Sequence, residues 1–499
     1  MALKKSLLKN RSILLGYLGV LLSISCSPDT PKPEASLYHQ YCASCHRAPE
    51  INTLPKDVWK NGVLPDMLNR MDLAEMYTDP STIPSGFRPK IKLAEWTAIQ
   101  NYIISQAPQH LKTIPKQTST ILKGFTPTAL PLDTNNGAFF TFLQFEPETY
   151  SMLSGNINGV LSRHHCQSGT TEIIYEGETP ITWYNKERST EFITEVGILD
   201  PSDEERGKIV MRTEGDALLL PQIYHRPVHT ITEDLNKDGS IELVVSEFGN
   251  ETGRLSLLFK NEANQYERKI LLNQPGCLKT MIKDMNNDGK QDVIVMTSQA
   301  NESITILYQE ENLSFRAERV LEFDPVYGSS WFELVDYNND GFDDLITVNG
   351  DNADKSYVHK PYHGLRIHLN NGRNEFTEAY FYPMHGATRF VTDDFDQDGD
   401  LDFGILSTFP DYENMPEYSF VYLENKNAEN FSFETKLLPD PNLGRWFLMD
   451  KGDIDGDGDI DILLSSFTYA FTPVPDFLEK KWSQENTDIL ILENTLHTK

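Results

Sequence analysis

Five short stretches of the chain share an acidic pattern that could hold a metal ion. Each reads D-x-[DN]-x-D-G-x-x-[DE] and is followed by apolar residues. Oxygen side chains at positions 1, 3, 5 and 9 can converge on one hard cation, because the glycine at position 6 allows a tight turn. The predicted ligands are Asp234, Asn236, Asp238, Glu242, Asp284, Asn286, Asp288, Asp292, Asp336, Asn338, Asp340, Asp344, Asp394, Asp396, Asp398, Asp402, Asp453, Asp455, Asp457 and Asp461.

The donor atoms in these loops favour calcium. Calcium prefers oxygen donors, whereas zinc prefers nitrogen and sulfur. An EF-hand loop also needs a glutamate at position 12 and a helix on either side, but here position 12 is apolar and the flanking residues are typical of strands. Solvated turns would explain one copy, but they explain five copies in register poorly. We therefore expect up to five Ca²⁺ ions, each in a strand–loop–strand setting.

The spacing of the loops predicts the elements that carry them. The loops begin 50, 52, 58 and 59 residues apart, and one motif per unit at a nearly fixed period indicates a repeat architecture. Each loop is followed by a strand, a polar turn and a strand, which gives four strands per unit, the size of a propeller blade. Five units fill 234–499 and 125–233 has room for two more, so we predict an all-β seven-bladed β-propeller. A strand near 125–131 should complete the last blade and close the ring.

The N-terminus predicts export. Residues 1–25 have a basic start and a short apolar core, as in a secretory signal, and the apolar run is too short for a stable membrane span. The stretch "SISC" resembles a bacterial lipobox, and this resemblance implies a lipoprotein with its lipid on Cys26, anchored to a bacterial membrane in the periplasm or at the cell surface. Ordinary cleavage beside an incidental cysteine is the alternative.

The charge of the chain limits its partners. Residues 1–25 hold four basic and no acidic residues, so their removal takes the net charge from −30 to −34. A surface this acidic argues against nucleic acid as a partner.

The sequence "YCASCHR" contains a C-x-x-C-H motif, which is typical of covalent haem c attachment. Cys42 and Cys45 would bond to the haem and His46 would ligate its iron. A redox or zinc role for the cysteine pair is weakened by the adjacent histidine and by the lack of a second pair. Cys166 and Cys277 lie in different predicted blades, so we expect buried thiols rather than a disulfide.

The haem iron of a cytochrome often takes methionine as its second ligand. Around Met67 the chain resembles the distal-ligand segment of small class I cytochromes, and Met71 is the second choice. Methionines at helical spacing are equally typical of a core stripe. The apolar spacing of 93–106 predicts a helix, which resembles the C-terminal helix that packs on the haem in such cytochromes. These features predict a multidomain chain, with a small all-α class I cytochrome c domain at 36–109, a linker at 110–124 and the propeller at 125–499.

The whole pattern resembles a known family. The acidic loops resemble FG-GAP/VCBS repeats of integrin-like propellers. Together with the C-x-x-C-H motif, phrases such as "RPVHTITEDLNKDG", "KPYHG" and "FYPMHGATR" resemble secreted bacterial FG-GAP/VCBS repeat proteins that carry a cytochrome c domain. The resemblance implies calcium at the five loops and one covalent haem, and it implies no particular reaction.

One face of the predicted propeller is rich in basic and aromatic residues. The segments that lead into the first strand of each blade should lie near the axis, on the face opposite the acidic loops. Such a mouth suits an anionic or carbohydrate ligand, although the same residues could instead pair with carboxylates and fix blade contacts. The predicted pocket residues are Arg226, Lys279, Trp331, His363, His385, Arg389, Arg445 and Trp446.

Two classes of function fit this organisation. The first is an electron-transfer lipoprotein that passes electrons to a redox partner protein, with the propeller as a platform for a ligand or partner. The second is an enzyme whose propeller oxidises or cleaves a carbohydrate-like substrate, with the haem accepting electrons in the case of oxidation. The sequence contains no dinucleotide fingerprint, P-loop, nucleophile elbow or H-E-x-x-H motif that would name a reaction. We therefore expect electron transfer.

Overall fold

A computed structural model describes residues 33–73, 90–133, 136–213, 216–352, 357–469 and 472–497 of the chain. The predicted signal at 1–25 and the predicted lipidation site Cys26 lie outside these residues. Within them, no helix has the length and apolar character needed to cross a membrane.

Seven sheets form a seven-bladed β-propeller, and the four main strands of each blade are antiparallel to their neighbours. We number the blades in the chain order of their innermost strands. Blade 1 contains Phe140–Glu146, Ser151–Asn156, Val160–His165 and Thr170–Glu176; blade 2 contains Ile181–Glu187, Thr190–Glu195, Glu205–Thr213 and Asp216–Leu219, with Tyr224–His225 added to its third strand; blade 3 contains Pro227–Glu233, Glu242–Glu247, Arg254–Lys260 and Tyr266–Leu272.

The remaining blades follow the same plan. Blade 4 contains Cys277–Lys283, Asp292–Thr297, Ser303–Gln309 and Phe315–Glu322; blade 5 contains Ser329–Val335, Asp344–Asn349, Gly364–Asn370 and Phe376–Pro383; blade 6 contains Ala387–Asp393, Asp402–Ser407, Phe420–Asn427 and Ser432–Leu437, with Ser119–Ile121 added in parallel; blade 7 contains Trp446–Gly452, Asp461–Ser466, Ile489–Asn494 and Phe125–Leu130.

The hydrophobic core lies between neighbouring blades. The second strands of blades 3 to 7 are buried along their whole length, which explains why they are apolar runs rather than alternating ones. One cluster, for example, joins Val244 and Leu257 of blade 3 to Val293 and Leu307 of blade 4. Cys277 is buried in this cluster, Cys166 is half-buried, and both are free thiols.

Blade 7 closes the ring by the predicted route. Phe125–Leu130 pairs with the last strand of the chain, Ile489–Asn494, over six residues. The chain therefore supplies the outermost strand of this blade from its N-terminal side and the other three from its C-terminal side. This pairing covers a strand edge that would otherwise be open.

Every innermost strand carries a β-bulge at the same place. In each blade one residue near the start of the strand has no counterpart on the second strand. A bulge raises local twist and redirects the side chains that follow it. The bulged residues are Thr141, Thr182, Val228, Leu278, Ser330, Thr388 and Phe447.

Residues 33–107, which we call the helical segment, contain short helices. These are α-helices Pro33–Cys42, Lys56–Val58, Leu64–Arg70 and Leu93–Gln106, a π-helical turn Trp59–Val63 and a 3₁₀ turn Ile51–Thr53. Helix Asp476–Glu485 precedes the last strand of the chain, and 3₁₀ turns occur at Pro147–Thr149, Pro416–Ser419 and Ala428–Asn430.

The prediction of a separate small all-α class I cytochrome c domain at 36–109 is wrong. The longest helix described in this segment has only 14 residues, and the segment packs on the propeller rather than standing apart from it. Val326 of the propeller packs against its core, Asp324 accepts a hydrogen bond from the backbone N–H of Glu50 at 2.7 Å, and the Tyr362 hydroxyl donates to the Thr53 carbonyl at 2.9 Å. Helical periodicity identified Leu93–Gln106, but it could not show that the neighbouring surface is a propeller.

Candidate functional site

A cavity of about 2110 Å³ lies between the helical segment and the end of the propeller at which the innermost strands begin. Its wall contains residues of the helical segment and residues from the innermost strands of all seven blades. Small-molecule pockets usually measure about 300 to 1,000 Å³. The cavity is therefore large enough for a prosthetic group and a further ligand together.

The C-x-x-C-H motif forms part of the wall on the helical side. Cys42 is the last residue of helix Pro33–Cys42, and Cys45 lies in the turn that follows. The Nδ1 atom of His46 lies 2.6 Å from the carbonyl oxygen of Arg47, a contact that holds the ring by one nitrogen. A histidine fixed in this way can offer its other nitrogen, Nε2, to a metal. Burial raises the pKa of the Cys42 thiol to about 12.

The rest of the helical wall is largely apolar. Trp59, Leu64, Trp96, Ile99 and Ile103 line the cavity and are buried in the core of the helical segment. The indole N–H of Trp96 has no hydrogen-bond partner among the described residues. The helical wall therefore combines apolar side chains with two thiols, a histidine and one indole donor that has no partner among the described residues.

Both candidate methionines line the cavity. Met67 lies in helix Leu64–Arg70, and Met71 caps its C-terminus. Both side chains are half-buried and pack against the same core. The structure therefore brings both residues to the predicted haem site and leaves open the choice between them.

The propeller side of the cavity is the axial channel, which we define by Phe142, Trp183, His229, Trp331, Arg389 and Leu448. Each of these residues directly follows the bulge in the innermost strand of its blade. Lys279 occupies the same position in blade 4. The bulges thus place one equivalent side chain from each blade around the propeller axis.

Two cations meet at one indole ring in the axial channel. The Nζ atom of Lys279 lies 3.7 Å from the ring centroid of Trp331, and the guanidinium carbon of Arg389 lies 4.4 Å from it. Lys279 also donates to Oε1 of Glu333 at 2.5 Å, and the indole N–H of Trp331 donates to the same atom at 2.8 Å. The contacts combine cation–π attraction with a shared carboxylate.

Three further groups of the axial channel were not predicted from the sequence. Burial, followed by the charges of Lys279 and Arg389, lowers the pKa of His229 well below its usual value, so this histidine is neutral. Its ring lies 4.0 Å from the ring of Trp183, centroid to centroid. Burial raises the pKa of Asp450 to about 6. The position five residues before an acidic loop could have identified His229 in the sequence, whereas blade 2 has no such loop to mark Trp183.

Two of the predicted pocket arginines are held by backbone and hydroxyl groups at the strand starts. Arg226 lines the cavity, but its guanidinium donates to two backbone carbonyl oxygens at 2.6 and 2.7 Å. Arg445 donates to the carbonyl of Tyr469 at 2.6 Å and to Oγ1 of Thr472 at 2.8 Å. Each arginine precedes its strand by one residue, whereas Lys279 and Arg389 follow the bulge.

The other predicted pocket residues lie away from the described wall of this cavity. Trp446 is buried in a hydrophobic cluster of blades 6 and 7. His363 is fully buried, and burial lowers its pKa well below the usual value. His385 lines a smaller cavity of about 710 Å³ beside His359 and Asp411. The structure therefore places Arg226, Trp331 and Arg389 in the wall of the cavity. Lys279 is buried against the ring of Trp331, and the remaining four lie elsewhere.

The five acidic loops share one hydrogen-bond pattern between the first and second strands of blades 3 to 7. The carboxylate at position 1 accepts from the backbone N–H groups of positions 5 and 6, at 2.8 to 3.2 Å. In two loops, oxygen atoms of three carboxylates lie within 4.8 Å of one another. These sets are Asp394, Asp396 and Asp398, and Asp453, Asp455 and Asp461.

The carboxylate at position 9 has a structural role that the sequence did not reveal. It is the first residue of the second strand and is buried in all five blades. In blade 4, Asp292 accepts from the backbone N–H of Met285 at 2.9 Å and from that of Gln309 at 2.8 Å. The residue thereby joins the loop to the third strand of its blade.

Comparisons with known proteins support the propeller repeat. A family model described as FG-GAP-like repeat matches residues 284–347, which span the acidic loops of blades 4 and 5. A search of curated proteins gave no match.

Solved structures give matches of low similarity. The Neurospora crassa Pan2 WD40 domain is 10% identical, with 70% of this chain and 94% of that chain covered and a TM-score of 0.43. The Myceliophteria thermophila Cps50 (Swd1) β-propeller domain is 10% identical, with 67% and 96% covered and a TM-score of 0.41. Saccharomyces cerevisiae Sqt1 is 10% identical, with 70% and 83% covered and a TM-score of 0.42.

Proposed function

We propose that this chain is an exported haem c electron-transfer protein whose propeller is a platform for a ligand or partner. The observation that carries the proposal is the position of Cys42, Cys45 and His46. All three line the cavity that opens into the axial channel. A haem held there would lie directly beside whatever the propeller binds.

The residues of the helical segment would each have a defined role. Cys42 and Cys45 would form the two thioether bonds, and Nε2 of His46 would ligate the iron while Nδ1 keeps its contact with the Arg47 carbonyl. Trp59 and Trp96 would exclude water from the ring. When bound, the haem supplies one-electron transfer, and Met67 is the proposed second ligand.

The acidic loops and the N-terminus complete the proposal. Calcium at the five loops would neutralise carboxylates that otherwise repel one another and would stiffen the turn between the first and second strands. A lipid on Cys26 would anchor the protein to a bacterial membrane, in the periplasm or at the cell surface. The redox partner protein would then meet the chain at that membrane.

Covalent haem attachment is the test. The protein, produced with a cytochrome c maturation system, should retain haem on a denaturing gel, and Cys42→Ala with Cys45→Ala should remove it. Cys166→Ala is the matched control, because Cys166 is a free thiol in blade 1 and should leave the haem in place. A wild-type protein without covalent haem would overturn the proposal.

An oxidising enzyme is the second candidate, and one observation favours it. The channel contains Asp450, whose pKa is raised by burial to about 6, near the range that suits a general acid or base. Oxidation of a hydroxyl group of an alcohol or carbohydrate there to a carbonyl would release two electrons and two protons. Asp450 would accept one proton and water the other, and the electrons would reach the partner one at a time through the haem. Reduction of the ferric haem by such a compound, lost in Asp450→Asn, would support the enzyme; no reduction by any of them would exclude it.

A further inference from the structure

We propose that the axial channel binds the oxyanion group of a small ligand, a carboxylate or a phosphate, at the guanidinium of Arg389 beside Trp331. The inference rests on the proposed role of the propeller as a ligand platform. It also decides between the two ligand classes that the sequence suggested, because it favours an anion over a neutral carbohydrate.

Arg389 is a cation in the wall of the axial channel. Its Nη1 atom donates to the backbone carbonyls of Ser330 and Thr388, at 3.0 and 2.9 Å. Among the described residues, no ion pair joins its guanidinium to a carboxylate. A buried cation without a paired anion is costly, and an incoming oxyanion would supply that anion.

Several titratable groups lie around Arg389 in the axial channel. The Nζ atom of Lys279 forms an ion pair with Oε1 of Glu333 at 2.5 Å. His229 is neutral and adds no charge. Asp450 acts on the ammonium of Lys279 and accepts from the backbone N–H of Phe145 at 2.6 Å. Asp351 lines the same cavity, and its charge also acts on Arg389. Among the six residues that define the axial channel, Arg389 is the cation that can bind an anion directly.

The two indole rings of the axial channel, those of Trp331 and Trp183, contact other side chains of the protein. Neutral sugars bind proteins largely through apolar faces stacked on free aromatic rings, together with hydrogen bonds. The face of Trp331 is engaged by Lys279 and Arg389, which come from the two neighbouring blades, and the ring of Trp183 is covered by His229 at 4.0 Å. Both indole rings of the channel are thus already in contact with side chains of the protein.

The proposed anion site lies in the same cavity as the C-x-x-C-H motif. Trp331 and Arg389 line the same cavity as Cys42, Cys45 and His46. A ligand held by Arg389 would therefore share one cavity with the proposed haem.

The test compares two probes that differ in charge and little in shape, glucuronate and glucose, with inorganic phosphate as a third. Binding to the full-length protein is measured by calorimetry at low and high salt. We expect glucuronate or phosphate to bind more tightly than glucose by about tenfold or more, since a charge-assisted hydrogen bond contributes about 1.5 to 3 kcal/mol. Added salt should weaken the binding.

The variants are Arg389→Gln and Lys279→Met, and the matched control is Arg445→Gln. Arg389→Gln should reduce anion affinity about tenfold or more, and Lys279→Met should reduce it less, because Glu333 already neutralises that lysine. Arg445 donates to a carbonyl and a hydroxyl outside the channel, so Arg445→Gln should lower the melting temperature and leave anion affinity unchanged.

Several results would overturn the inference. These are an absence of binding for both anions, equal binding of glucose and glucuronate, and anion binding that Arg389→Gln leaves unchanged in a folded protein. Haem content is measured on the same samples. Anion binding by a protein that attaches no haem would overturn only the proposed electron transfer, whereas a haem-loaded protein that binds neither anion would overturn only the present inference.

Discussion

The buried carboxylate at position 9 of the acidic loops gives the sharpest prediction. Asp292 is fully buried and accepts from two backbone N–H groups, those of Met285 and Gln309. We predict that Asp292→Ala destabilises blade 4 because it leaves both N–H groups buried without an acceptor. The effect arises from the protein alone and does not require a bound ion.

The magnitude follows from the two lost acceptors. A buried donor without a partner costs about 1 to 3 kcal/mol, so two cost about 2 to 6 kcal/mol. Removal of the carboxylate also removes its own desolvation cost, which places the expected loss of unfolding free energy near the lower end, at about 3 kcal/mol. Asp292→Asn keeps one acceptor oxygen, and about half of that loss is expected.

The assay combines denaturant unfolding with hydrogen exchange. In Asp292→Ala, the amides of Met285 and Gln309 should lose protection in chelator as well as in calcium. Asp288→Ala is the matched control, because Asp288 is exposed at position 5 of the same loop and accepts from the exposed backbone N–H of Lys290, so in chelator it should cost much less stability than Asp292→Ala. Unchanged stability and protection in Asp292→Ala, or an effect that chelator abolishes, would refute the reasoning.

Three further predictions follow from the same structure. Chelation of calcium should lower the melting temperature of the wild type, and excess calcium should raise it by mass action. Asp457→Ala should lower the calcium content by one ion per chain in elemental analysis. A melting temperature that chelator leaves unchanged would contradict calcium binding. Met67→Ala should change the spectrum of the reduced haem more than Met71→Ala does, and the opposite order would make Met71 the ligand. Burial raises the pKa of Glu302 to about 7, so the folded state binds more protons than the unfolded state between pH values of about 4.5 and 7. Stability should therefore fall by about 3 kcal/mol as pH rises through that window. Glu302→Gln should remove this slope in denaturant unfolding, whereas an identical slope in the variant would contradict the prediction.

The propeller could be predicted because its sequence signals are local and repeated. Each acidic loop fixes the start of a second strand, and the apolar run that follows is buried along its length in every blade from 3 to 7. The missing outermost strand of blade 7 indicated that an earlier strand must close the ring. Period and pattern were sufficient for these features.

The helical segment shows where such reasoning fails. The apolar spacing of Leu93–Gln106 correctly predicts a helix, and Trp96, Ile99 and Ile103 are buried as that spacing requires. Periodicity says that a face is buried, but it does not say against what. Here the core of the segment extends to Val326 of the propeller, so a segment that resembles an independent domain in sequence is instead one wall of a shared cavity.

The prediction of the pocket residues was only partly correct, and the reason is geometric. Arg226 and Arg445 lie one residue before their strands, and Lys279 and Arg389 lie directly after a bulge. In sequence the two pairs differ in position by only three residues relative to the acidic loops. A bulge redirects the strand that follows it, so this small difference separates two roles: the arginines before the strand bind backbone and hydroxyl oxygens near the strand starts, and the cations after the bulge meet at Trp331. In blades 3 to 7 the bulged residue always lies six residues before the acidic loop, so the position five residues before the loop identifies which basic residues face the axis.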